Sequence, residues 1–245
     1  MILIITLFVL TVAILAAIRF IFKRPNFQQQ LKQLNGKVVV ITGGSLGIGR
    51  SLALRCFENG ANVIVIARNQ QNLQKVKDDL ESKRANEVQK VVVKQADVTS
   101  LEQVNRTFDE IVGEFKQIDY LVNCAGKSVS NAFDDAPIED FESMINLNYF
   151  GTLYPTKYAA KLMKKKRSGN IIIVSSIAGL VGLHGFSAYS SSKFALVGLA
   201  QCLHMELKSF NVHVTCCFPP DTDTPGFEEE EKTKVLPNTR SFRTP

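Results

Sequence analysis

The chain has 245 residues, of which 45% are hydrophobic and 21% are charged, and its formal net charge is +6. This length and composition are typical of one globular domain and exclude a disordered or low-complexity chain. Basic residues are not interleaved with aromatic ones as in single-strand binders, so the positive charge does not predict a nucleic-acid partner.

The first segment, residues 1–24, combines an apolar run with a basic flank. Residues 1–18 contain no charge and no proline, and with the apolar residues 20–22 the run reaches the ~20 residues that span a bilayer as a helix. Cations follow the run and none precedes it, which favours an uncleaved membrane anchor with the main domain on the cytoplasmic side. A cleaved signal peptide and a buried helix are the alternatives. Residues 25–36 are polar and are predicted to form a linker.

Apolar, β-rich segments alternate with helical patterns from residue 37 onward. Short apolar strands separated by helices predict a parallel sheet covered on both faces, in a doubly wound, Rossmann-like α/β fold of about six strands. The predicted strands span residues 38–42, 62–67, 90–95, 119–123, 170–176 and 211–218. The predicted helices span residues 48–59, 69–84, 101–115, 138–166 and 187–209. No further pattern follows, so we expect a domain over 37–227 and an irregular tail over 228–245.

The first predicted strand runs into a glycine-rich loop that precedes an amphipathic helix. Glycines there let the backbone turn sharply and approach a pyrophosphate, while the helix N-terminus offers free amides. A tight structural turn is the alternative. In this strand–loop–helix context we predict a nucleotide site, with contacts from Gly43, Ser45, Gly47, Ile48 and Gly49.

Arg68 follows the second predicted strand, which lacks at its end the acidic residue that binds an adenosine ribose 2′-hydroxyl. An arginine suits a 2′-phosphate, so the sequence favours NADPH over NADH; a surface arginine is the alternative. Further cofactor candidates follow the next two strands, although an aspartate at 97 is also typical of a turn. These candidates are Asp97, Val98, Asn123, Ala125 and Gly126.

Tyr189 and Lys193 stand four residues apart in a predicted helix, so they share one face. A free tyrosine titrates near pH ~10, and a neighbouring ammonium lowers that pKa by stabilising the phenolate. A shift of ~3 units corresponds to about 4 kcal/mol. The pair therefore predicts a general acid for a carbonyl, with Ser176 thirteen residues upstream of the tyrosine.

The five cysteines follow no regular spacing, so they predict neither a disulfide framework nor a metal site. Free thiols in a reducing compartment are the simpler expectation. The cysteines are Cys56, Cys124, Cys202, Cys216 and Cys217.

Five motifs in order resemble those of the short-chain dehydrogenase/reductase family, over residues 37–225. The resemblance implies that Tyr189 is the general acid/base and that Lys193 lowers its pKa and holds the nicotinamide ribose. It implies that Ser176 donates a hydrogen bond to the substrate carbonyl and that Asn148 maintains a water-linked proton path. Pro219, after the sixth strand, is then a further contact of NADPH. The motifs are residues 42–49, 123–126, 148–151, 175–176 and the Tyr-x-x-x-Lys of 189–193.

A closer resemblance within the family is carried by residues 65–69, 188–195 and 219–227. It is to members that reduce the 3-keto group of a long-chain sphingolipid base at the cytosolic face of the endoplasmic reticulum membrane. It implies a long-chain lipid ketone as substrate, whose local concentration a membrane anchor raises. A steroid or retinoid ketone, and a nucleotide-binding membrane protein without catalysis, are the alternatives.

The chain departs from the family pattern at three places. Leu46 stands where many members carry a small or hydroxyl residue that helps to hold phosphate, and Pro220 replaces the usual glycine. Members continue to a seventh strand, so we expect a shortened chain with an open substrate pocket. The helices over 138–166 and 187–209 resemble those that members use in dimers, so a homodimer is an option. Core packing is the alternative role for Phe194, Leu196 and Leu199.

Overall fold

The structure is a computed structural model that describes residues 31–84 and 86–234. Its internal contacts divide the chain into two units, Met1–Gln33 and Leu34–Pro245. The anchor predicted over 1–24 lies outside the described residues, as do residues 25–30 of the predicted linker. Among the residues that are described, none of the helices is both long enough and apolar enough to cross a bilayer.

The second unit is built on one parallel sheet of six strands, in the order β3-β2-β1-β4-β5-β6. Thr42, at the end of β1, lies opposite Ile66 on one side and Asn123 on the other. The strand order reverses between β1 and β4, and ligands of open α/β sheets bind in the crevice outside such a switch point. The strands are β1 Val38–Thr42, β2 Asn62–Ala67, β3 Val91–Gln95, β4 Tyr120–Asn123, β5 Gly169–Val174 and β6 Val212–Cys217.

Helices cover both faces of the sheet, which confirms the predicted doubly wound fold. Side chains of β1 alternate between the two faces: Val38 and Val40 belong to one buried cluster, Val39 and Ile41 to the other. α3, α5 and α6 supply the first cluster, and α1 and α2 supply the second. The helices are α1 Gly47–Glu58, α2 Gln70–Glu81, α3 Leu101–Phe115, α4 Ile138–Met144, α5 Gly151–Lys166, α6 Ser187–Leu207 and α7 Pro225–Thr233.

The stretch predicted as helical over 138–166 is helical throughout, but its middle is not α-helical. A π-helical turn, Ile145–Phe150, separates α4 from α5. Pro155 lies inside α5, where a proline nitrogen has no hydrogen to donate to the carbonyl of the residue four positions earlier. Insertion of a π turn is one of the ways in which a helix absorbs such a disruption.

The irregular tail predicted over 228–245 is wrong for its first part, which is helical. Thr224 caps α7 by accepting a hydrogen bond from the amide of Phe227 at 3.2 Å, and Pro225 occupies the first turn. A hydroxyl cap followed by proline is a recognised start of a helix. The helix carries acidic residues, among them Glu229 and Glu230, to the edge of the sheet where the candidate site lies.

Candidate active site

A cleft of about 590 Å³ opens at the carboxyl edge of the sheet. Its lining comes from the loops that leave four neighbouring strands, with Gly43 after β1, Ala125 after β4, Ser176 after β5 and Pro219 after β6. Of the predicted site residues, the cleft gathers ten along one wall and floor. These are Gly43, Gly47, Ile48, Gly49, Ala125, Gly126, Ser176, Tyr189, Lys193 and Pro219.

The glycine loop has a backbone that other residues do not fit. Gly43 has φ +66°, and a Cβ there would lie 2.6 Å from the Cα of Ala125. A Cβ on Gly49 would lie 2.4 Å from the carbonyl oxygen of Gly43. The loop therefore packs closely against both β4 and its own first turn, and it leaves the start of α1 open to the cleft.

The N-terminus of α1 has the character of an anion site. Leu46 precedes the helix without a side-chain capping bond, and the first turn contains no acidic residue. Its amides and the positive end of the helix dipole thus face the cleft that Gly47 and Ile48 line. Together with the close-packed glycines, this arrangement fits the pyrophosphate of a dinucleotide.

Arg68 follows β2 directly and its side chain is exposed. Its carbonyl accepts a hydrogen bond from Gln95 at 2.9 Å, which fixes the backbone at the end of β2. Within the described ranges, no carboxylate lies at ion-pairing distance from its guanidinium. The side chain is available to a phosphate, as the sequence predicted.

Besides Arg68, four predicted cofactor residues lie outside the cleft lining, and the first two of them have structural tasks. Asp97 accepts hydrogen bonds from the amide and the hydroxyl of Thr99, at 2.9 and 2.7 Å, so its carboxylate forms a turn. Val98 is buried, and a Cβ on Gly151 would lie 2.9 Å from it. The turn-forming alternative for Asp97 is thus the one that the contacts support.

The other two are Ser45 and Asn123. Ser45 is buried beside the glycine loop, with 8% of its surface exposed. The Asn123 amide donates to the hydroxyl of Thr156 at 2.9 Å, and its Oδ1 atom is buried without a partner. Asn123 therefore ties the end of β4 to α5 rather than facing the cleft.

Tyr189 and Lys193 lie on one face of α6, as their spacing predicted. The Lys193 ammonium lies 5.6 Å from the centre of the tyrosine ring and donates to the carbonyl of Val174 at 3.1 Å. Burial lowers the pKa of Lys193 to about 8, because a charge in an apolar surrounding loses its hydration.

The prediction of a lowered pKa for Tyr189 is wrong, although Lys193 lies near the ring as predicted. The pKa of Tyr189 is raised, chiefly by burial, and the negative charges of Glu230 and Asp221 raise it further. A hydrogen bond with Ser176 acts in the opposite direction. A phenol in this environment is protonated at neutral pH, which is the form that donates a proton.

Ser176 lies two residues beyond the end of β5, within hydrogen-bonding distance of the Tyr189 phenol. Its Oγ atom accepts a hydrogen bond from the amide of Ala178 at 3.2 Å, which caps a short 3-10 turn, Ile177–Gly179. The cap fixes the direction of the hydroxyl toward the phenol. Two hydroxyl donors, Ser176 and Tyr189, therefore converge on one point of the cleft.

Asn148 lies in the π-helical turn and is fully buried. Its amide nitrogen donates to the hydroxyl of Ser192 at 2.9 Å and to the carbonyl of Lys127 at 3.1 Å. Its Oδ1 atom accepts from the amide of Lys127 at 3.1 Å. Ser192 in turn donates to the carbonyl of Tyr189 at 2.7 Å. The side chain of Asn148 thus joins the cleft loop after β4 to the helix that carries the tyrosine.

The cleft also has a wall that the sequence did not predict, supplied by α7 and the segment before it. Ser128 donates a hydrogen bond to the carboxylate of Glu230, which ties this wall to the loop after β4. The Thr224-Pro225 pair was the local signal for this helix. Residues of the wall are Asp221, Thr222, Thr224, Gly226, Phe227, Glu229, Glu230 and Lys234.

The cysteines have no catalytic arrangement. All five are free thiols. Burial raises the pKa of Cys56 and of Cys124 to about 11, so neither is a thiolate at neutral pH. Cys124 therefore contributes to the cleft wall as a small apolar side chain.

Comparisons with known proteins place these features in one family. The family described as short chain dehydrogenase matches residues 37–235. A mouse (Mus musculus) 3-ketodihydrosphingosine reductase is 46% identical over 204 residues, which are 83% of this chain and 61% of the relative. A zebrafish (Danio rerio) 3-dehydrosphinganine reductase is 45% identical over 205 residues, which are 83% of this chain and 62% of the relative. The chain thus spans about three-fifths of the length of these relatives.

Solved structures show the same architecture. A short-chain type dehydrogenase/reductase from Mycobacterium marinum is 32% identical, with a TM-score of 0.77 over 83% of this chain and 80% of its own. ElxO with NADP bound is 33% identical, with a TM-score of 0.73 over 80% of this chain and 78% of its own. From the family match, these identities and the geometry of the cleft, it follows that the chain belongs to the short-chain dehydrogenase family.

Proposed function

We propose that the chain reduces the keto group of a long-chain lipid with NADPH, and that 3-ketodihydrosphingosine is its substrate. The observation that carries the chemistry is the convergence of Ser176 and Tyr189 in a cleft that begins at the glycine loop. The observation that carries the substrate is the 46% identity to a reductase of that name.

The proton donor is Tyr189. Its raised pKa keeps the phenol protonated at neutral pH, so it donates a hydrogen bond to the substrate oxygen and then its proton to the alkoxide. Ser176 donates a second hydrogen bond to the same oxygen, and two such donors aimed at a developing negative charge stabilise the transition state. NADPH, when bound, supplies the hydride.

Lys193 supplies positive charge beneath the phenol. With a pKa of about 8 it is predominantly an ammonium at pH 7, and it lies 5.6 Å from the centre of the Tyr189 ring. As the phenolate forms, the attraction between the two charges grows, which favours proton release. Lys193 is also placed to hold a ribose of the cofactor.

The choice of NADPH rests on Arg68. The arginine is exposed at the carboxyl end of β2, where the strand ends without an acidic residue. A guanidinium forms paired, charge-assisted hydrogen bonds with a phosphate. The residues around the glycine loop would hold the pyrophosphate, and Arg68 would hold the 2′-phosphate.

The membrane association that we propose rests on residues 1–24. The apolar run has bilayer-spanning length and the cations follow it, so the domain would face the cytosol, at the endoplasmic reticulum as in the family members that the chain resembles. Flotation of the full chain with vesicles tests the anchor, and protease protection in microsomes tests the side. Recovery in the soluble fraction, or protection of the domain, would contradict it.

Not all three apolar residues of α6 that the sequence offered for pairing are accessible to a second copy of the chain in a homodimer. Leu196 is fully buried in the core and Leu199 packs against it, while Phe194 is 45% exposed. Of the three residues, Phe194 is therefore the one available for pairing.

The decisive experiment measures NADPH oxidation and lipid product with 3-ketodihydrosphingosine for the full chain and for Tyr189→Phe. We expect product from the first and a loss of at least ~100-fold in the second, since the phenol is the proton donor. NADPH binding without turnover by the unaltered chain would instead support a nucleotide-binding membrane protein. Turnover of a steroid or retinoid ketone, with none of the sphingoid ketone, would change the substrate class.

A further inference from the structure

The segment that leaves β5 exposes large apolar side chains beside the cleft. We call residues 177–183 the apolar loop. Ile177, Leu180, Val181 and Leu183 are 43%, 52%, 51% and 45% exposed. No Lys, Arg, Asp or Glu occurs from 177 to 185. Exposed apolar side chains scattered singly need no explanation, but four within seven residues form a patch that calls for a partner.

The apolar loop is held in place by its backbone rather than by its side chains. The amide of Leu180 donates to the carbonyl of Ile177 at 2.8 Å, and the amide of Phe186 donates to the carbonyl of Leu183 at 3.1 Å. The carbonyl of Gly185 accepts from Asn131 at 2.8 Å, which joins the loop to the segment after β4. Main-chain bonds at both ends hold the loop while about half of the surface of each of these four side chains stays exposed.

The patch and the cleft are continuous. Ser176 immediately precedes the apolar loop, and Ala178 and Leu183 line the cleft itself. A further exposed aromatic ring, Phe133 at 70% exposure, lies two residues beyond the paired Asn131. The mouth of the cleft therefore has an apolar rim on the side of its two hydroxyl donors.

We propose that the apolar loop inserts into the interfacial layer of a lipid bilayer and holds the mouth of the cleft against the membrane. Leu, Ile and Val without charged neighbours partition favourably into a bilayer. This chain also carries an apolar run over 1–18 that would bring the domain to a membrane. The apolar loop would then determine which face of the domain contacts the bilayer. The lipid nature of the substrate rests on the proposed function, whereas insertion of the loop is measured separately.

The charged residues near the apolar rim of the cleft indicate which lipids are sufficient for insertion of the loop. Asp134 and Asp135 follow Phe133, and both are exposed. Carboxylates at the membrane surface are repelled by anionic lipids, so the attraction is apolar rather than electrostatic. Vesicles of zwitterionic phosphatidylcholine should therefore be enough for insertion, and added anionic lipid should not strengthen it.

The chain offers a direct probe because it contains no tryptophan. Val181→Trp puts a single indole in the apolar loop, and Val88→Trp puts one at a valine that is 85% exposed before β3, at the opposite edge of the sheet. Each full-length variant is bound to phosphatidylcholine vesicles with or without bromine on the acyl chains. We expect blue-shifted emission and at least twofold quenching by bromine for Val181→Trp only. Leu180→Trp is the second loop variant if Val181→Trp folds poorly.

Four results would overturn the proposal. The first is protein that floats with vesicles while the indole in the apolar loop is not quenched, and the second is equal quenching of both variants. The third is a blue shift without lipid, which would indicate that a second copy of the chain covers the loop. The fourth is a blue shift that requires the lipid ketone, which would indicate that the loop closes over substrate. The same measurement on Val181→Trp combined with Tyr189→Phe separates insertion from catalysis. Quenching there would uphold the proposal even if the chain reduced no sphingoid ketone.

Discussion

The Lys193 ammonium donates a hydrogen bond to the carbonyl of Val174 at 3.1 Å while it lies 5.6 Å from the centre of the Tyr189 ring. The main chain of β5 therefore fixes the height of the charge beneath the phenol. Burial makes that charge costly, and the pKa of Lys193 falls to about 8 as a result. The lysine remains cationic at pH 7 but loses its charge within a range that experiments reach.

Replacement of Lys193 by methionine keeps the length of the side chain and removes the charge. We expect kcat/KM for the lipid ketone to fall by ~10²–10⁴, the range typical of a lost general acid–base contribution. Steady-state kinetics with NADPH measures it. Lys165→Met, at an exposed lysine of α5, is the control and should leave kcat/KM unchanged.

The same lysine predicts a pH dependence. Its ammonium predominates below its pKa of about 8 and is lost above it, so the rate of reduction should decline as pH rises through that value. Arginine stays protonated throughout, so in Lys193→Arg the remaining rate should show no decline there. An identical midpoint in both proteins would assign the titration to another group.

Burial is the main cause of the raised pKa of Tyr189, and the carboxylates of Glu230 and Asp221 add to it. Their negative charges raise it, so Glu230→Gln should lower the pKa of Tyr189 and move phenolate formation to lower pH. Ultraviolet titration of tyrosinate, taken as the difference between each protein and its Tyr189→Phe form, measures the shift.

Glu229→Gln is the matched control for this titration. Glu229 pairs with Lys232 at 2.7 Å, so its negative charge is balanced within α7. Its removal should leave the midpoint in place. A shift of equal size in both variants would mean that the general charge of α7, rather than Glu230, governs the phenol.

The strands of the sheet and the cofactor loop were predicted correctly because each is determined by residues that are close together in the sequence. β1 and β2 begin and end where their apolar runs do, and the glycines of the loop mark positive φ and close approach. The π turn was missed because Asn148 is bonded to Lys127, 21 residues away, and to Ser192, 44 residues away. Pro155 was the one local sign of that interruption.

The tyrosine pKa was mispredicted for a similar reason. The spacing of Tyr189 and Lys193 correctly predicted a shared face, but spacing carries no information about burial or about the approach of Glu230 from a distant helix. Electrostatic balance at the site is a property of the folded chain. The shared helix face of Tyr189 and Lys193 was therefore predictable from the sequence, whereas the direction of the pKa shift of Tyr189 was not.

Arg68→Ala tests the cofactor preference. Loss of a charge-assisted contact with phosphate corresponds to ~1.5–3 kcal/mol, so KM for NADPH should rise by roughly 10–100-fold while KM for NADH stays the same. Arg55→Ala, at an arginine that pairs with Glu58 near the end of α1, should change neither value. Equal effects on both nucleotides would place Arg68 away from the 2′-phosphate.

Ser192→Ala tests the link between Asn148 and the catalytic helix. Ser192 is fully buried and is both an acceptor for Asn148 and a donor to the carbonyl of Tyr189, so its loss leaves a buried amide hydrogen without one of its partners. We expect the free energy of unfolding to fall by ~1–3 kcal/mol in denaturant titrations. Ser191→Ala, at the exposed neighbour whose hydroxyl donates to Ala188, should change it by no more than ~0.5 kcal/mol. If Ser192 also positions Tyr189, kcat of Ser192→Ala should fall at temperatures where the variant is fully folded. A variant that loses stability but keeps kcat would limit Ser192 to a packing role.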